Sequence, residues 1–114
     1  MSQPFTVVEE DVEGHRAEGD TVLEKLVLDR STGSEVLEQR VLRFGSGRSL
    51  ERGGQECDDV LYVVAGSGTL ELEGTRHALG PDTGVYIRAG ERWVVENEGP
   101  EELLVVEVSV PAGG

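Results

Sequence analysis

The sequence predicts an all-β protein, a single antiparallel jelly-roll β-barrel with little or no helix. Short apolar segments recur at strand length along the chain, and most of them end at turns formed from the 16 glycines. No segment shows the sustained 3.6-residue periodicity of an amphipathic helix. Because a chain of 114 residues builds one core, many short strands must close or stack to cover their edges.

The order of apolar segments and turns predicts the domain organisation. Residues 1–20 form an acidic N-terminal segment, whose strand-like residues 5–8 could extend a sheet edge in the same subunit or a swapped one. Residues 21–110 form the barrel, and 111–114 form a C-terminal tail. The predicted strands of the barrel are 21–29, 35–44, 59–64, 69–73, 76–79, 84–87, 92–96 and 103–110. A turn at 31–34 joins the first two, and the mixed pattern of 35–44 leaves its inward face undecided.

Charge and cysteine content limit the partners. With 23 acidic and 10 basic residues the net charge is −13, which disfavours nucleic acid and anionic membranes as partners. The sequence has no apolar run of spanning length and no signal-peptide pattern, so we expect a cytoplasmic protein. The single cysteine, Cys57, agrees with a reducing compartment. The acidic neighbours Glu56, Asp58 and Asp59 oppose formation of a reactive thiolate.

Two segments carry a family resemblance. Residues 59–68, DVLYVVAGSG, join an acidic residue, an apolar strand and a Gly-x-Gly turn. Residues 87–97, IRAGERWVVEN, join an apolar residue, a glycine turn and a later asparagine. In this order the segments, which together span roughly residues 50–99, resemble the two motifs of the cupin superfamily. The resemblance implies a cupin-like jelly-roll barrel.

The resemblance also implies positions for metal ligands in the first motif. The acidic ligand falls on Asp59, and the two histidines of the family fall on Arg52 and Gly54. If the loop is one residue shorter, they fall on Gly53 and Gln55. None of these residues supplies an imidazole, so we predict no metal and no cofactor.

The second motif departs from the family in the same way. Its histidine falls on Trp93 and its proline on Arg88, while His15 and His77 fall on no ligand position. Divalent transition metals in such barrels need neutral imidazole nitrogens, which a single carboxylate does not replace. If Arg52 points inward, its permanent positive charge opposes a bound cation. His15 and His77 are interpreted as surface or turn residues.

The candidate ligand-binding residues of the cavity are Arg52, Asp59, Tyr86, Arg88 and Trp93. An ion pair between Arg52 and Asp59 could replace the metal and order the cavity. Arg52, Arg88 or Arg92 could alternatively hold a carboxylate or phosphate ligand, or remain solvated at the barrel rim. Trp93 either packs in the core or offers an aromatic wall to a ligand, and Tyr86 is a further aromatic beside the second motif.

Three classes of function remain open. The first is a module that binds a small organic ligand in the barrel without a His-coordinated metal. The second is an enzyme similar to cupin isomerases, cyclases or epimerases that use acid–base residues, or an oxygenase-like cupin with atypical metal ligands. The third is a structural domain whose cavity is filled by side chains. A homodimer is expected, since small cupins commonly pair sheet edges.

Overall fold

The computed structural model describes residues 7–29 and 36–111, and within them the protein is all-β, as predicted. The described residues contain no α-helix, only a 3₁₀ turn at Glu9–Asp11. No helix in these ranges is long and apolar enough to cross a membrane. The strands are β1 (Val22–Leu28), β2 (Glu38–Phe44), β3 (Gly47–Arg48), β4 (Arg52–Gly53), β5 (Cys57–Ala65), β6 (Gly68–Leu72), β7 (Thr75–Leu79), β8 (Gly84–Ile87), β9 (Arg92–Asn97) and β10 (Leu103–Pro111).

Two antiparallel sheets pack against each other in the jelly-roll arrangement. The larger sheet has the order β1-β2-β10-β5-β8, and the smaller sheet has the order β3-β9-β6-β7, with β4 also pairing with β9. The core consists mainly of aliphatic side chains together with Phe44 and Trp93. Its other buried members are Val22, Leu42, Leu61, Val63, Leu70, Leu79, Ile87, Val95, Leu103 and Val105.

The observed strands agree with the predicted ones to within a few residues at each end. The short strands β3 and β4 were not predicted, because two-residue pairings leave no apolar pattern. The predicted turn at 31–34, Phe5 of the possible N-terminal strand, and residues 112–114 lie outside the described residues. In the lead-in, His15 and Glu24 exchange two backbone hydrogen bonds of 2.7 and 2.8 Å, so this segment contacts the open edge of β1.

The inner face of the larger sheet changes from apolar to polar along three adjacent strands, β2, β10 and β5. Each strand alternates inward and outward residues, and the register aligns the inward ones in rows. The two rows nearest the core are apolar, whereas the next two carry charge. In order from the core, the rows are Phe44 and Leu103; Leu42, Val105 and Val63; Arg40, Glu107 and Leu61; and Glu38, Ser109 and Asp59.

Candidate functional site in the polar end of the barrel

The polar rows line a cavity of about 350 Å³. Both sheets contribute, because β4 of the smaller sheet lies across from β1, β2, β5 and β10 of the larger one. Nine of the fifteen lining residues are charged, so the cavity differs from the aliphatic core beside it. The lining residues are Glu24, Glu38, Arg40, Glu51, Arg52, Gly53, Gly54, Gln55, Cys57, Asp59, Ile87, Arg88, Glu91, Glu107 and Ser109.

Arg52 connects the two sheets across this cavity. Its Nη2 donates a hydrogen bond of 2.7 Å to Oε1 of Glu24 and lies 3.7 Å from Oε1 of Glu107. Its guanidinium carbon lies 5.5 Å from the centroid of the Trp93 ring, to which Arg52 is also paired in register. The cation–π contact and the two carboxylates therefore hold this guanidinium over the boundary between core and cavity.

Glu107 is the most deeply buried carboxyl group of the cavity. The residue is 5% exposed and lies on β10, where its neighbours on the inward face are the apolar Val105 and the polar Ser109. Burial raises the pKa of Glu107 to about 7; Arg52 and Arg40 oppose the rise, and Asp59 and Glu24 add to it. A carboxyl group with such a pKa exchanges its proton near neutral pH.

Asp59 lies one row further from the core and has a different partner. It is 8% exposed, and its Oδ1 accepts a hydrogen bond of 2.5 Å from the hydroxyl of Ser109, its register partner on β10. Cys57, two residues before it on the same face of β5, also lines the cavity. Burial and then the charge of Asp59 raise the pKa of the Cys57 thiol, so it stays protonated and unreactive.

A row of ion pairs continues from Arg52 to the outer wall of the cavity. Oε1 of Glu24 accepts from Arg52 and also lies 3.2 Å from Nε of Arg40. Nη2 of Arg40 in turn donates to Glu38 at 2.7 Å. Four side chains from β1, β2 and β4 thus form one chain of ion pairs, which Glu107 joins through Arg52. These contacts orient both guanidinium groups.

The segment after β4 forms the rim of the cavity and depends on glycine. Gly53 has a φ of +90°, and a Cβ there would collide with the carbonyl oxygen of Glu91. The amide of Gly54 donates to that carbonyl at 2.9 Å, and the amide of Gly90 donates to the carbonyl of Gln55 at 2.8 Å. Only a residue without a side chain allows this close approach of the rim to the turn at 89–91.

The predicted ion pair between Arg52 and Asp59 is wrong. Both residues line the cavity, but Arg52 pairs with Glu24 and Glu107, and Asp59 is held by Ser109. The register explains the difference, since it places Asp59 one row beyond Glu107 along the cavity. Arg52, which stands over the Trp93 ring, reaches the nearer row.

The other sequence-predicted residues are distributed over three environments. Trp93 is 1% exposed and belongs to the core, where it supports Arg52 without lining the cavity. Arg88 lines the cavity from its exposed rim. Tyr86 points to the outer face of the larger sheet, where its hydroxyl donates to Oδ2 of Asp58 at 2.7 Å. Its pKa is raised by this hydrogen bond.

Sequence reasoning missed Glu107, Glu24 and Arg40. The signal for Glu107 was a lone carboxyl residue within LLVVEVSV, the otherwise mostly apolar sequence of residues 103–110. Such a residue is ordinarily interpreted as part of the solvent face of a strand. Glu24 and Arg40 lie in segments rich in alternating charge, and only the pairing of β2 with β1 and with β10 brings them to the cavity.

The residues present do not fit a His-coordinated metal ion. The positions that the resemblance assigns to imidazole ligands hold a guanidinium, glycines, an amide and a buried indole. Within residues 7–29 and 36–111, no three His, Cys, Asp or Glu side chains are arranged to hold a metal ion. Both histidines are exposed and lie away from the cavity.

The outer face of the larger sheet carries several exposed apolar side chains. Val60, Tyr62 and Val64 on β5 and Tyr86 on β8 are between 44% and 57% exposed. The hydroxyl of Tyr62 donates to Asp82 at 2.6 Å. The homodimer expected from the sequence is not tested by this surface and stays a prediction.

Comparisons with known proteins agree with this architecture. The sequence model described as Cupin domain matches residues 45–109, which is more than half of the chain. A search of the curated proteins finds no match. Three similar solved structures share 14%, 17% and 18% sequence identity, so the likeness concerns the fold alone.

The first of these structures is a predicted oxalate decarboxylase from Thermotoga maritima, with a TM-score of 0.81 over 94% of this chain and 99% of that one. The polyketide cyclase RemF from Streptomyces resistomycificus gives 0.80 over 95% and 80%. KdgF from a Halomonas species gives 0.77 over 97% of both chains. The family match, together with the jelly-roll barrel, shows that this chain belongs to the cupin family.

Proposed function

We propose that this cupin barrel binds a small polar organic molecule in the cavity at the polar end of its interior. Charged side chains hold the ligand, in place of a His-coordinated metal ion. The walls that contact it are Glu107 and Asp59 on the larger sheet, while Arg52 orders the boundary with the core.

One observation carries this proposal: Glu107 is a buried carboxyl group that faces a cavity and accepts no hydrogen bond from the described residues. A polar side chain at an inward position lowers stability unless it has partners. A protein that used its barrel only as a scaffold would fill these rows with apolar side chains, as it does in the two adjacent rows. The cost of burying Glu107 therefore supports a binding role.

The size and openness of the site also favour binding over a filled core. A cavity of about 350 Å³ lies at the small end of the range for ligand pockets. Its rim is formed by a glycine segment, by the exposed Arg88 and by the half-buried Glu91, which leaves an entry route between them. These features count against a purely structural domain.

A thermal-shift screen with sugars, organic acids, amines and aromatic metabolites tests the proposal. A ligand that binds only the folded protein adds about 2.7 kcal/mol of stability at one hundred times its Kd. The screen is run with EDTA present, so that a shift cannot depend on a metal. We expect at least one compound class to raise the Tm.

Two variants of β10 locate the binding site. Ser109→Leu adds a large side chain inside the cavity, whereas Val108→Leu adds bulk on the opposite face of the same strand. The ligand-induced shift should disappear in the first variant and persist in the second. Equal shifts in both, or no shift with any compound, would contradict the proposal.

Acid–base catalysis without a metal is the second candidate, and the pKa of Glu107 favours it. A carboxyl group whose pKa is about 7 can accept a proton from a bound molecule or return one to it at neutral pH. Arg52, 3.7 Å away, would stabilise the carboxylate after the proton has left. Among similar structures, RemF is described as a polyketide cyclase, which makes an enzymatic role reasonable for this fold.

Exchange of ligand protons with D₂O tests catalysis even when the product is unknown. Each compound from the screen is incubated with the protein in D₂O, and loss of its C–H signals is followed by NMR. Catalysis predicts exchange that Glu107→Gln abolishes while binding persists. Binding without any exchange above the protein-free rate would exclude proton abstraction from carbon and leave the binding proposal standing.

A further inference from the structure

The cavity carries more negative than positive groups. Its lining contains six carboxyl groups and three guanidinium groups, an excess of three negative charges when all are ionised. One of the six, Glu51, pairs with Arg92 outside the lining at 2.9 Å, which leaves an excess of two. In a site with limited access to water, such an excess attracts cations and repels anions more strongly than it would at the surface. The six carboxyl groups belong to Glu24, Glu38, Glu51, Asp59, Glu91 and Glu107.

The guanidinium groups deep in the cavity already have carboxylate partners. Arg40 pairs with Glu38 and Glu24, and Arg52 pairs with Glu24 and Glu107. Among the described residues, Arg88 alone of the three forms no ion pair, and it lies at the exposed rim. The buried Nε of Arg52 has no hydrogen-bond partner among the described residues, but it lies beside two carboxyl groups that repel an anion. An anionic ligand would therefore have to bind against that repulsion, displace an existing pair or bind only at the mouth.

Glu107 and Asp59 have acceptor positions that the described residues do not fill. The side chain of Glu107 is 6% exposed, and its nearest cation, Arg52 Nη2, lies at 3.7 Å, beyond hydrogen-bond distance. Asp59 accepts one hydrogen bond, from Ser109. Buried carboxyl groups ordinarily accept several, so both point to a donor that enters the cavity from outside.

On the basis of the proposed function, we propose that the ligand is a small aliphatic amine whose ammonium group donates hydrogen bonds to Glu107 and Asp59. An ammonium group suits this position because it is compact, carries three donors and has no acceptor. It also offsets the excess negative charge of the cavity. A neutral polyol would supply donors without that compensation, and a carboxylate would add to the repulsion.

Binding of an amine is coupled to the proton of Glu107. The groups that face this side chain are Arg52 on β4, Arg40 on β2, Glu24 on β1 and Asp59 on β5. In the free protein they and burial leave its pKa at about 7. A bound ammonium favours the carboxylate, so below that pH Glu107 releases one proton to solvent for each amine bound. Affinity then rises by up to about tenfold per pH unit between about pH 5 and pH 7.

A matched series of three compounds tests the charge preference by isothermal titration. Glucamine, sorbitol and gluconate share a hydroxylated chain and differ in one terminal group, which is an amine, a hydroxyl or a carboxylate. The aliphatic amine stays protonated up to about pH 8. We expect glucamine to bind at least about tenfold more tightly than sorbitol at about pH 8, a preference equal to one charge-assisted contact. Gluconate should bind more weakly than either.

Variants assign the preference to the two carboxyl groups. Glu107→Gln and, separately, Asp59→Asn should each reduce the affinity for glucamine at least about tenfold and leave that for sorbitol nearly unchanged. Glu96→Gln is the matched control, because Glu96 lies on β9 outside the cavity and pairs with Arg76. In Glu107→Gln the pH dependence between about pH 5 and pH 7 should disappear.

Three results would overturn the amine assignment. Gluconate could bind more tightly than glucamine, or glucamine could fail to bind while sorbitol or another compound of the wider screen does; either leaves the binding proposal intact. Zn²⁺ or Ni²⁺ alone could bind in a Glu107-dependent way and more tightly than the amine, which would overturn the metal-free binding proposal as well.

Discussion

The apolar and polar halves of the barrel interior are built on the same three strands and differ only in which side chains those strands turn inward. Along β10, Leu103 and Val105 complete the core, and the next inward residues, Glu107 and Ser109, line the cavity. The backbone pairing runs through both halves, with one register shift between Leu104 and Val105 where β10 pairs with β5. The difference teaches that a single strand can contribute both to the apolar core and to a polar cavity, with the boundary at Arg52.

The largest expected effect is on the apolar half. Phe44→Ala removes a fully buried ring, which should lower the free energy of unfolding by about 3–5 kcal/mol. Urea denaturation measures it. A loss below about 1 kcal/mol would mean that the core can collapse around the change, and that the apolar half does not dominate stability.

The contribution of the polar half to stability should change with pH in the direction opposite to that of an ordinary surface carboxylate. The pKa of Glu107 is raised from 4.5 to about 7, so the folded state binds its proton more tightly than the unfolded chain. Its contribution to stability is fully present below about pH 4.5 and is lost as the pH rises through about 7.

Glu107→Gln should remove that loss. The variant should be more stable than the wild type by roughly 3 kcal/mol at about pH 8, and the difference should vanish near about pH 4.5. Thermal or urea unfolding of both proteins across this range provides the test, with Glu96→Gln as the surface control. Destabilisation by Glu107→Gln at about pH 8 would contradict this prediction, because it would mean that the ionised Glu107 stabilises the folded state.

Arg52→Met separates the charge of Arg52 from its bulk. The substitution removes the cation from Glu107 and Glu24 and should cost about 2 kcal/mol at about pH 8, because Glu107 must then either ionise without this cation or take up a proton. At about pH 5, where Glu107 holds its proton, the cost should be smaller. Equal costs at both pH values would assign the role of Arg52 to packing on Trp93 instead.

The smallest effect is expected at the outer row. Ser109→Ala deletes the hydrogen bond to Asp59 and should cost about 1–2 kcal/mol, since the acceptor is a buried carboxylate. Ser109→Thr keeps the hydroxyl and should recover most of that stability. Urea denaturation compares the two variants, and equal stabilities would show that this hydrogen bond contributes little to the free energy of unfolding.

The fold was predictable because its signals are local. Glycine turns and strand-length apolar runs fall within ten residues of one another, and the two motif-like segments fix the family. The short strands β3 and β4 were not predictable, because two-residue pairings leave no periodic trace. Even so, β4 carries Arg52 into the cavity.

The site was only partly predictable, because it depends on which face of each strand is covered. The alternation in β10 separates Glu107 and Ser109 from Val106 and Val108, yet the usual rule places the polar pair in solvent. In this protein the polar pair faces the cavity and the valines face outward. The register of β5 against β10, which is not written in either segment alone, also decided that Asp59 contacts Ser109 instead of Arg52.

An NMR titration of the side-chain carboxyl carbons in protein labelled with ¹³C-glutamate tests the central claim most directly. The signal of Glu107 is assigned by its absence in Glu107→Gln. We predict that this carboxyl titrates with a pKa of about 7 in the ligand-free protein, well apart from the exposed glutamates. A midpoint near the ordinary value of 4.5 would show that Glu107 is solvated like a surface residue, and would contradict a buried ionisable site in the barrel.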